Sequence, residues 1–248
     1  AHEIREKNSD LNNIAIIGSS GAIGSAFTKQ LSIMYPGAKI HAFSRGKPKV
    51  SDLNIKYYSI DYNDENSIKE SALITSNEIL LDMIIIATGV LHYDQVKPEK
   101  GLRDLSAKNF QLIFEANTIL PALIAKHFIP KLNRDKRVVF AALSARVGSI
   151  SDNQLGGWYA YRASKSALNM IIKNTAIEFA RRNKQAIIVG LHPGTVDSDL
   201  SKPFQGNVAD GKLFTPDLSA QKMISVLKHL TPISSGKCYA WDGQEIEP

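Results

Sequence analysis

One cysteine, Cys238, occurs in 248 residues, which excludes an internal disulfide and fits a reducing cytoplasm. No uninterrupted apolar stretch reaches the ~18 residues that a membrane-spanning helix needs. The run Met83-Ile84-Ile85-Ile86-Ala87 has only the length of a buried strand. The first residues, 1–12, are polar and lack the apolar centre of a secretory signal; they read as a flexible segment ahead of one domain at 13–248. The net charge of +6 is spread along the chain without a basic stripe, so charge does not indicate a nucleic-acid partner. No repeat, low-complexity tract or Pro/Gly-rich linker divides the sequence. With 44% hydrophobic and 22% charged residues, the chain is long enough to bury one α/β core.

Strand and helix patterns alternate along the chain. Asn13–Ile17, Lys39–Phe43, Lys56–Ile60, Asp82–Ala87, Arg137–Leu143, Ala186–Leu191 and Lys237–Trp241 read as seven strands. Helical periodicity follows Gly18 through Phe27, Leu31 and Met34, and fills Asn66–Ser76, Ser106–Leu132, Trp158–Arg182 and Pro216–Leu230. Such alternation implies parallel strands joined by right-handed crossovers, hence a single-domain, doubly wound (Rossmann) sheet with helices on both faces.

The first strand runs into Gly18-Ser19-Ser20-Gly21-Ala22-Ile23-Gly24, which opens a helix. Glycines let a backbone approach a pyrophosphate, and a helix N-terminus meets its charge, so Gly18, Ser20, Gly21, Ile23 and Gly24 are candidate dinucleotide contacts. A tight strand-to-helix connection is the plainer alternative. About 20 residues on, where NAD sites place a carboxylate, stand Ser44 and Arg45. A guanidinium there suits a 2′-phosphate, with Lys47 and Lys49 adding to the field. NADP(H) is therefore expected over NAD(H).

Tyr161-Arg162-Ala163-Ser164-Lys165 begins a helical pattern. Four residues apart, Tyr161 and Lys165 share one helix face, although such pairs also occur on ordinary amphipathic helices. An ammonium beside the phenol favours phenolate, so the tyrosine pKa is expected to fall toward the range useful for acid–base work. Tyr159, two residues away, points elsewhere.

The glycine turn, Asn117, Ser144, Tyr161-x-x-x-Lys165 and His192-Pro193-Gly194-Thr195 together resemble the short-chain dehydrogenase/reductase family, compact single-domain branch, from about Asn13 onward. Gly156-Gly157-Trp158-Tyr159-Ala160-Tyr161 and Ala240-Trp241-Asp242-Gly243 look like its C-factor/sniffer-like carbonyl reductase subgroup. The resemblance implies that Tyr161 is the general acid/base and that Lys165 lowers its pKa and binds the nicotinamide ribose. Ser144 would polarise a carbonyl. Asn117 would interrupt its helix and seat a proton-relaying water. Asp61 would contact adenine, while Ala87, Thr88 and Gly89 would lie along the cofactor, with Gly89 near the adenosine ribose. Pro193, Gly194 and Thr195 would pass the nicotinamide. A small carbonyl or alcohol substrate and a homodimer or homotetramer, built on the helices of Asn117 and Tyr161, are also implied. The C-factor likeness gives an alternative, an NADP-binding signalling or regulatory protein with little turnover.

Departures from the family pattern are visible. Ala22 stands where the compact branch has its middle glycine, and Ile86-Ala87-Thr88-Gly89 replaces Asn-Asn-Ala-Gly. Ser144 precedes Tyr161 by a long gap, and Ser149 and Ser151 are rivals for its role. The segment Val196–Leu213 reads as a long loop able to close over the site. Leu91, His92, Tyr93, Trp158, Pro203 and Phe204 are candidate pocket linings. His92 and His192 are not spaced as metal ligands.

Overall fold

Alternate residues of the central strands face opposite layers, and this sets the architecture. The computed structural model describes residues 11–89, 97–198, 201, 205–206 and 208–248. Its elements are β1 (Asn13–Ile17), α1 (Ala22–Met34), β2 (Lys39–Ser44), β3 (Ile55–Ser59), α2 (Glu65–Thr75), β4 (Met83–Ile86), α3 (Ala107–Phe114) and α4 (Leu120–Phe128). They continue through β5 (Val138–Leu143), α5 (Tyr159–Ala180), β6 (Ala186–His192), β7 (Thr195–Val196), β8 (Leu213–Phe214), α6 (Pro216–His229), β9 (Cys238–Ala240) and β10 (Glu245–Ile246).

Ile14 and Ile16 pack into a layer with Phe27 and Leu31 of α1 and Met223 and Leu227 of α6. Ala15 and Ile17 face the other layer, with Ile68 of α2, Ile124 and Phe128 of α4, and Ile172 of α5. Strands covered on both sides have no polar face, which explains the continuous apolar runs of β1 and β4. Phe27, Phe43 and Phe128 are fully buried, each contributing ~1.5–3 kcal/mol of transfer free energy.

The sheet has eight strands in the order β10-β9-β6-β5-β4-β1-β2-β3. All pairings are parallel except β10 on β9. The expected seven strands are present. The eighth, β10, is a two-residue antiparallel edge with too few residues for a readable alternation. Strand order reverses between β1 and β4, and beyond the carboxyl ends of such strands a doubly wound sheet binds its ligands.

The expected helix Ser106–Leu132 is not continuous. Between α3 and α4 the chain forms a π turn at Glu115–Ile119, with Asn117 inside it. Pro121 follows within the first turn of α4. Having no N–H, it cannot donate to the carbonyl of Asn117 four residues back, and the ladder widens there. The run Ala107–Lys131 has the length and mean hydropathy, 1.3, of a membrane-crossing helix, with half of its apolar window buried inside the protein.

The expected loop at 196–213 is clipped at its base. Thr195 and Val196 pair in parallel with Leu213 and Phe214, and Asp197 N donates to Phe214 O at 2.8 Å.

Candidate active site

Tyr161 stands in the first turn of α5, and the chain enters that helix under constraint. Trp158, the residue before it, is left-handed at φ 50° and ψ 47°, a conformation uncommon for a bulky side chain. The buried residue Glu99 holds it there through both backbone and side chain. Glu99 O accepts from Trp158 N at 2.7 Å, and Glu99 Oε2 accepts from Ala160 N at 2.8 Å. Glu99 Oε1 accepts from Asn109 Nδ2 at 3.0 Å. A carboxylate on an N–H of the first turn, here that of Ala160, complements the positive end of the helix. Glu99 thus fixes the backbone one residue from Tyr161. It lies about sixty positions upstream and carries no sequence signature, so sequence reasoning does not find it.

The Tyr161 ring stacks edge-on with Trp158, centroids 6.2 Å apart. Lys165 Nζ lies 5.9 Å from the Tyr161 ring centroid and donates to Leu143 O at 3.0 Å. The expected fall in the tyrosine pKa is not seen: burial pushes Tyr161 up to about 12. Burial also lowers Lys165 to about 8. The spacing does bring the pair onto one face. Desolvation of the phenol outweighs an ammonium that is shared with a backbone carbonyl.

Asn117 and Lys165 meet over Gly89. A Cβ built on Gly89 would lie 3.2 Å from Asn117 Oδ1 and 3.3 Å from Lys165 Nζ, and its φ is +148°. Only glycine lets the end of β4 pass beneath both groups. Asn117 Nδ2 donates to Ser164 Oγ at 3.2 Å, and Ser164 Oγ donates to Tyr161 O at 2.8 Å. Thr118 Oγ1 donates to Ser164 O at 2.8 Å. Ser164 therefore ties the π turn to the Tyr161 backbone. It hides inside the Tyr161–Lys165 motif, where only the distance to Asn117 reveals it.

Ser144 lines the same cleft, but its hydroxyl donates to Asn169 Oδ1 at 2.7 Å, toward α5. Ser149 Oγ accepts from Asp152 N at 3.1 Å, and Ser151 Oγ donates to Pro248 O. Neither of these rivals borders the cleft, which has a volume of about 270 Å³. Ile23, Trp158, Pro193, Gly194 and Thr195 do, as do Arg146 and His192. Ser219 Oγ fixes Pro193 by donating to its carbonyl at 2.7 Å. Burial lowers the His192 pKa to about 4, and its Nδ1 is buried without a hydrogen-bond partner among the described residues. Leu91, His92, Tyr93, Pro203 and Phe204 lie outside the described residues.

The glycine turn closes against two strands. Gly18 N and Ser19 N both donate to Phe43 O of β2 at 2.9 Å. A Cβ on Gly24 would stand 1.9 Å from Gly18 O, so the first turn of α1 packs directly on the loop. Gly21 is the residue preceding α1, and Ser20 is exposed. Ala87 N donates to Ile17 O at 2.8 Å, and Thr88 Oγ1 is buried without a partner among the described residues. Ser44 ends β2, and its carbonyl accepts from Ile60 N at 2.9 Å, with Arg45 next in the chain. Tyr62 joins this corner: burial raises its pKa to about 12, opposed by the Arg45 guanidinium and a hydrogen bond with the Gly18 backbone. A lone tyrosine after Asp61 gave no signal of that. Asp61 Oδ1 accepts from Asn63 N at 2.9 Å within its own turn.

Residues 12–208 match the short chain dehydrogenase family. A Rhodococcus 1-hydroxy-2-glutathionyl-2-methyl-3-butene dehydrogenase is 31% identical over 76% of this chain and 78% of its own. The C-signal of Myxococcus xanthus is 32% identical over 59% of this chain and 82% of its own. An NADPH-bound carbonyl reductase from chicken fatty liver superposes with TM-score 0.82 over 98% of this chain and 97% of its own, at 22% identity. With the doubly wound sheet, the glycine turn and the Tyr161–Lys165 pair above it, these matches make the chain a member of the short-chain dehydrogenase family of oxidoreductases.

Proposed function

We propose that this protein is an NADP(H)-dependent carbonyl reductase in which Tyr161 is the general acid, assisted by Lys165, Asn117 and Ser144. The observation that carries the reading is that Tyr161 and Ser144 border one cleft with Pro193, Gly194 and Thr195, while Lys165, on the same helix as Tyr161, meets Asn117 over Gly89.

The residues present fit a dinucleotide. Gly18 and Gly24 leave no room for side chains beside the N-terminus of α1, where a pyrophosphate is met by free N–H groups. The unpartnered Thr88 hydroxyl offers a further polar contact. Gly18, Ser20, Gly21, Ile23 and Gly24 would hold the phosphates, with Ser44 and Arg45 at the 2′-phosphate and Asp61 at the adenine. Ala87, Thr88 and Gly89 would take the riboses, and Pro193, Gly194 and Thr195 the nicotinamide end. When bound, the cofactor supplies the hydride that reduces the carbonyl carbon.

The chain supplies the proton. A phenol whose pKa is pushed up to about 12 is fully protonated at neutral pH, the form that donates to a carbonyl oxygen. Lys165 stabilises the phenolate left behind. Ser144 joins the carbonyl by rotating its hydroxyl from Asn169. Turnover is tested by titrating the protein with NADPH and NADH by fluorescence, then following NADPH oxidation with aldehydes and ketones. Tight NADPH binding with turnover supports the reading. NADPH binding without turnover across the panel favours a signalling role, the reading suggested by the C-signal relative.

Two further results are expected. Arg45→Ala should weaken NADPH about 10- to 100-fold, the worth of one to two charge-assisted hydrogen bonds, and leave NADH within about twofold. Equal losses for the two cofactors would remove Arg45 from the 2′-phosphate. In the pH profile of kcat/KM, reduction should hold level through neutral pH and fall above about 8, where Lys165 loses its proton. Lys165→Arg should carry that fall to higher pH; a profile indifferent to the substitution would assign the fall to another group.

A further inference from the structure

One cation in the wall of the cleft faces no carboxylate among the described residues. Arg146 opens the short 3-10 turn Arg146–Gly148 directly after β5 and Ser144. It is half-buried and borders the cleft together with Tyr161, Trp158 and His192. Among the described residues its guanidinium has no ion pair, while Lys39, Lys126, Lys136 and Lys237 each face a carboxylate. A guanidinium that has given up part of its water without gaining an anion is under-satisfied, and its planar fork matches a carboxylate in two parallel hydrogen bonds.

The neighbours of Arg146 agree. His192, in the same wall, has a buried Nδ1 without a partner among the described residues. Burial keeps its ring neutral, and the Arg146 charge adds to that, against the opposing fields of the exposed Asp242 and Asp152. The ring can therefore present one hydrogen bond without bringing a second charge. Apolar side chains, Ile23, Val147, Trp158 and Val196, line the remainder. A volume of about 270 Å³ suits a compact molecule. The phosphates of a dinucleotide belong to the glycine turn, so they do not account for the Arg146 charge.

We infer that the substrate of this site is a compact carbonyl compound that carries a carboxylate, and that Arg146 binds that carboxylate. The inference rests on the reductase reading above and narrows it to a substrate class. Arg146 is then a specificity residue that separates anionic from neutral carbonyls.

The test compares benzoylformate with its methyl ester, and p-carboxybenzaldehyde with its methyl ester, using the NADPH-loaded wild type, Arg146→Gln and Arg146→Lys. The wild type should prefer each acid over its ester by about tenfold or more in kcat/KM, the size of a charge-assisted contact. Arg146→Gln should bring the acid-to-ester ratio close to one, and Arg146→Lys should restore part of it. An ester reduced as well as its acid by the wild type, or an acid preference that survives in Arg146→Gln, overturns the inference and leaves the reductase reading standing.

Binding is read separately, by titrating the NADP-loaded protein with benzoylformate and following tryptophan fluorescence from Trp158. Saturable quenching that is lost in Arg146→Gln supports the carboxylate site even if no carbonyl is turned over, a result that would count against the reductase reading alone. Quenching that is absent, or identical in wild type and variant, counts against the site.

Discussion

Tyr161→Phe should lower kcat for carbonyl reduction by about 10²- to 10⁴-fold, the range a positioned general acid contributes. It should leave NADPH affinity within about twofold. The substitution removes one oxygen and keeps the ring, so the edge-on contact with Trp158 at 6.2 Å persists. The backbone carbonyl of residue 161 still accepts from Ser164, and Glu99 still holds the helix entry. Thermal stability should be little changed, because the substitution removes one atom and keeps the packing of the ring. Single-turnover reduction with saturating NADPH separates loss of chemistry from loss of binding. A variant that keeps more than about a tenth of the wild-type rate would take the proton-donor role away from Tyr161.

Gly24→Ala is the other change with a large expected effect. The new methyl would be placed 1.9 Å from Gly18 O, well inside contact distance, and both partners are backbone. The first turn of α1 must therefore move off the loop. Overpacking of this kind costs about 1–3 kcal/mol, which for a chain of this size lowers Tm by roughly 3–10 °C. The displacement also pulls the helix N-terminus from the Gly18 turn that Phe43 O anchors. NADPH affinity should drop by about tenfold or more, with catalysis restored at high cofactor concentration. Gly21→Ala is the internal control, since a Cβ there meets only Gly18 O at 3.8 Å, an ordinary contact. Equal effects from the two substitutions would mean that close packing at Gly24 does not govern the site.

Much of the scaffold is legible in the sequence because burial on both faces makes strands such as Ile14–Ile17 and Met83–Ile86 uniformly apolar. The break at Asn117 is not legible in the periodicity of Ser106–Leu132 and is implied only by the family resemblance; Pro121 supplies the cause. What escaped depends on distance through space. The two-residue β10 has no pattern of its own. Glu99 reaches Ala160 across a long sequence separation, and the commitment of Ser144 to Asn169 requires knowing how α5 faces β5. The direction of the Tyr161 pKa was missed for the same reason. Spacing along a helix identifies the ammonium, whereas desolvation depends on everything packed around the ring.

The β7–β8 ladder has a consequence for how this chain can change over generations. It joins the two ends of segment 197–212, whose Ser198, Ser201 and Val208 reach the wall of the cleft. With its stems already tied, the segment can lengthen at little cost: each doubling adds only ~0.6 kcal/mol of closure entropy. Insertions and deletions there leave the register of the main sheet untouched. Descendants of this chain could acquire new specificities through that excursion, while Tyr161 and the glycine turn stay as they are.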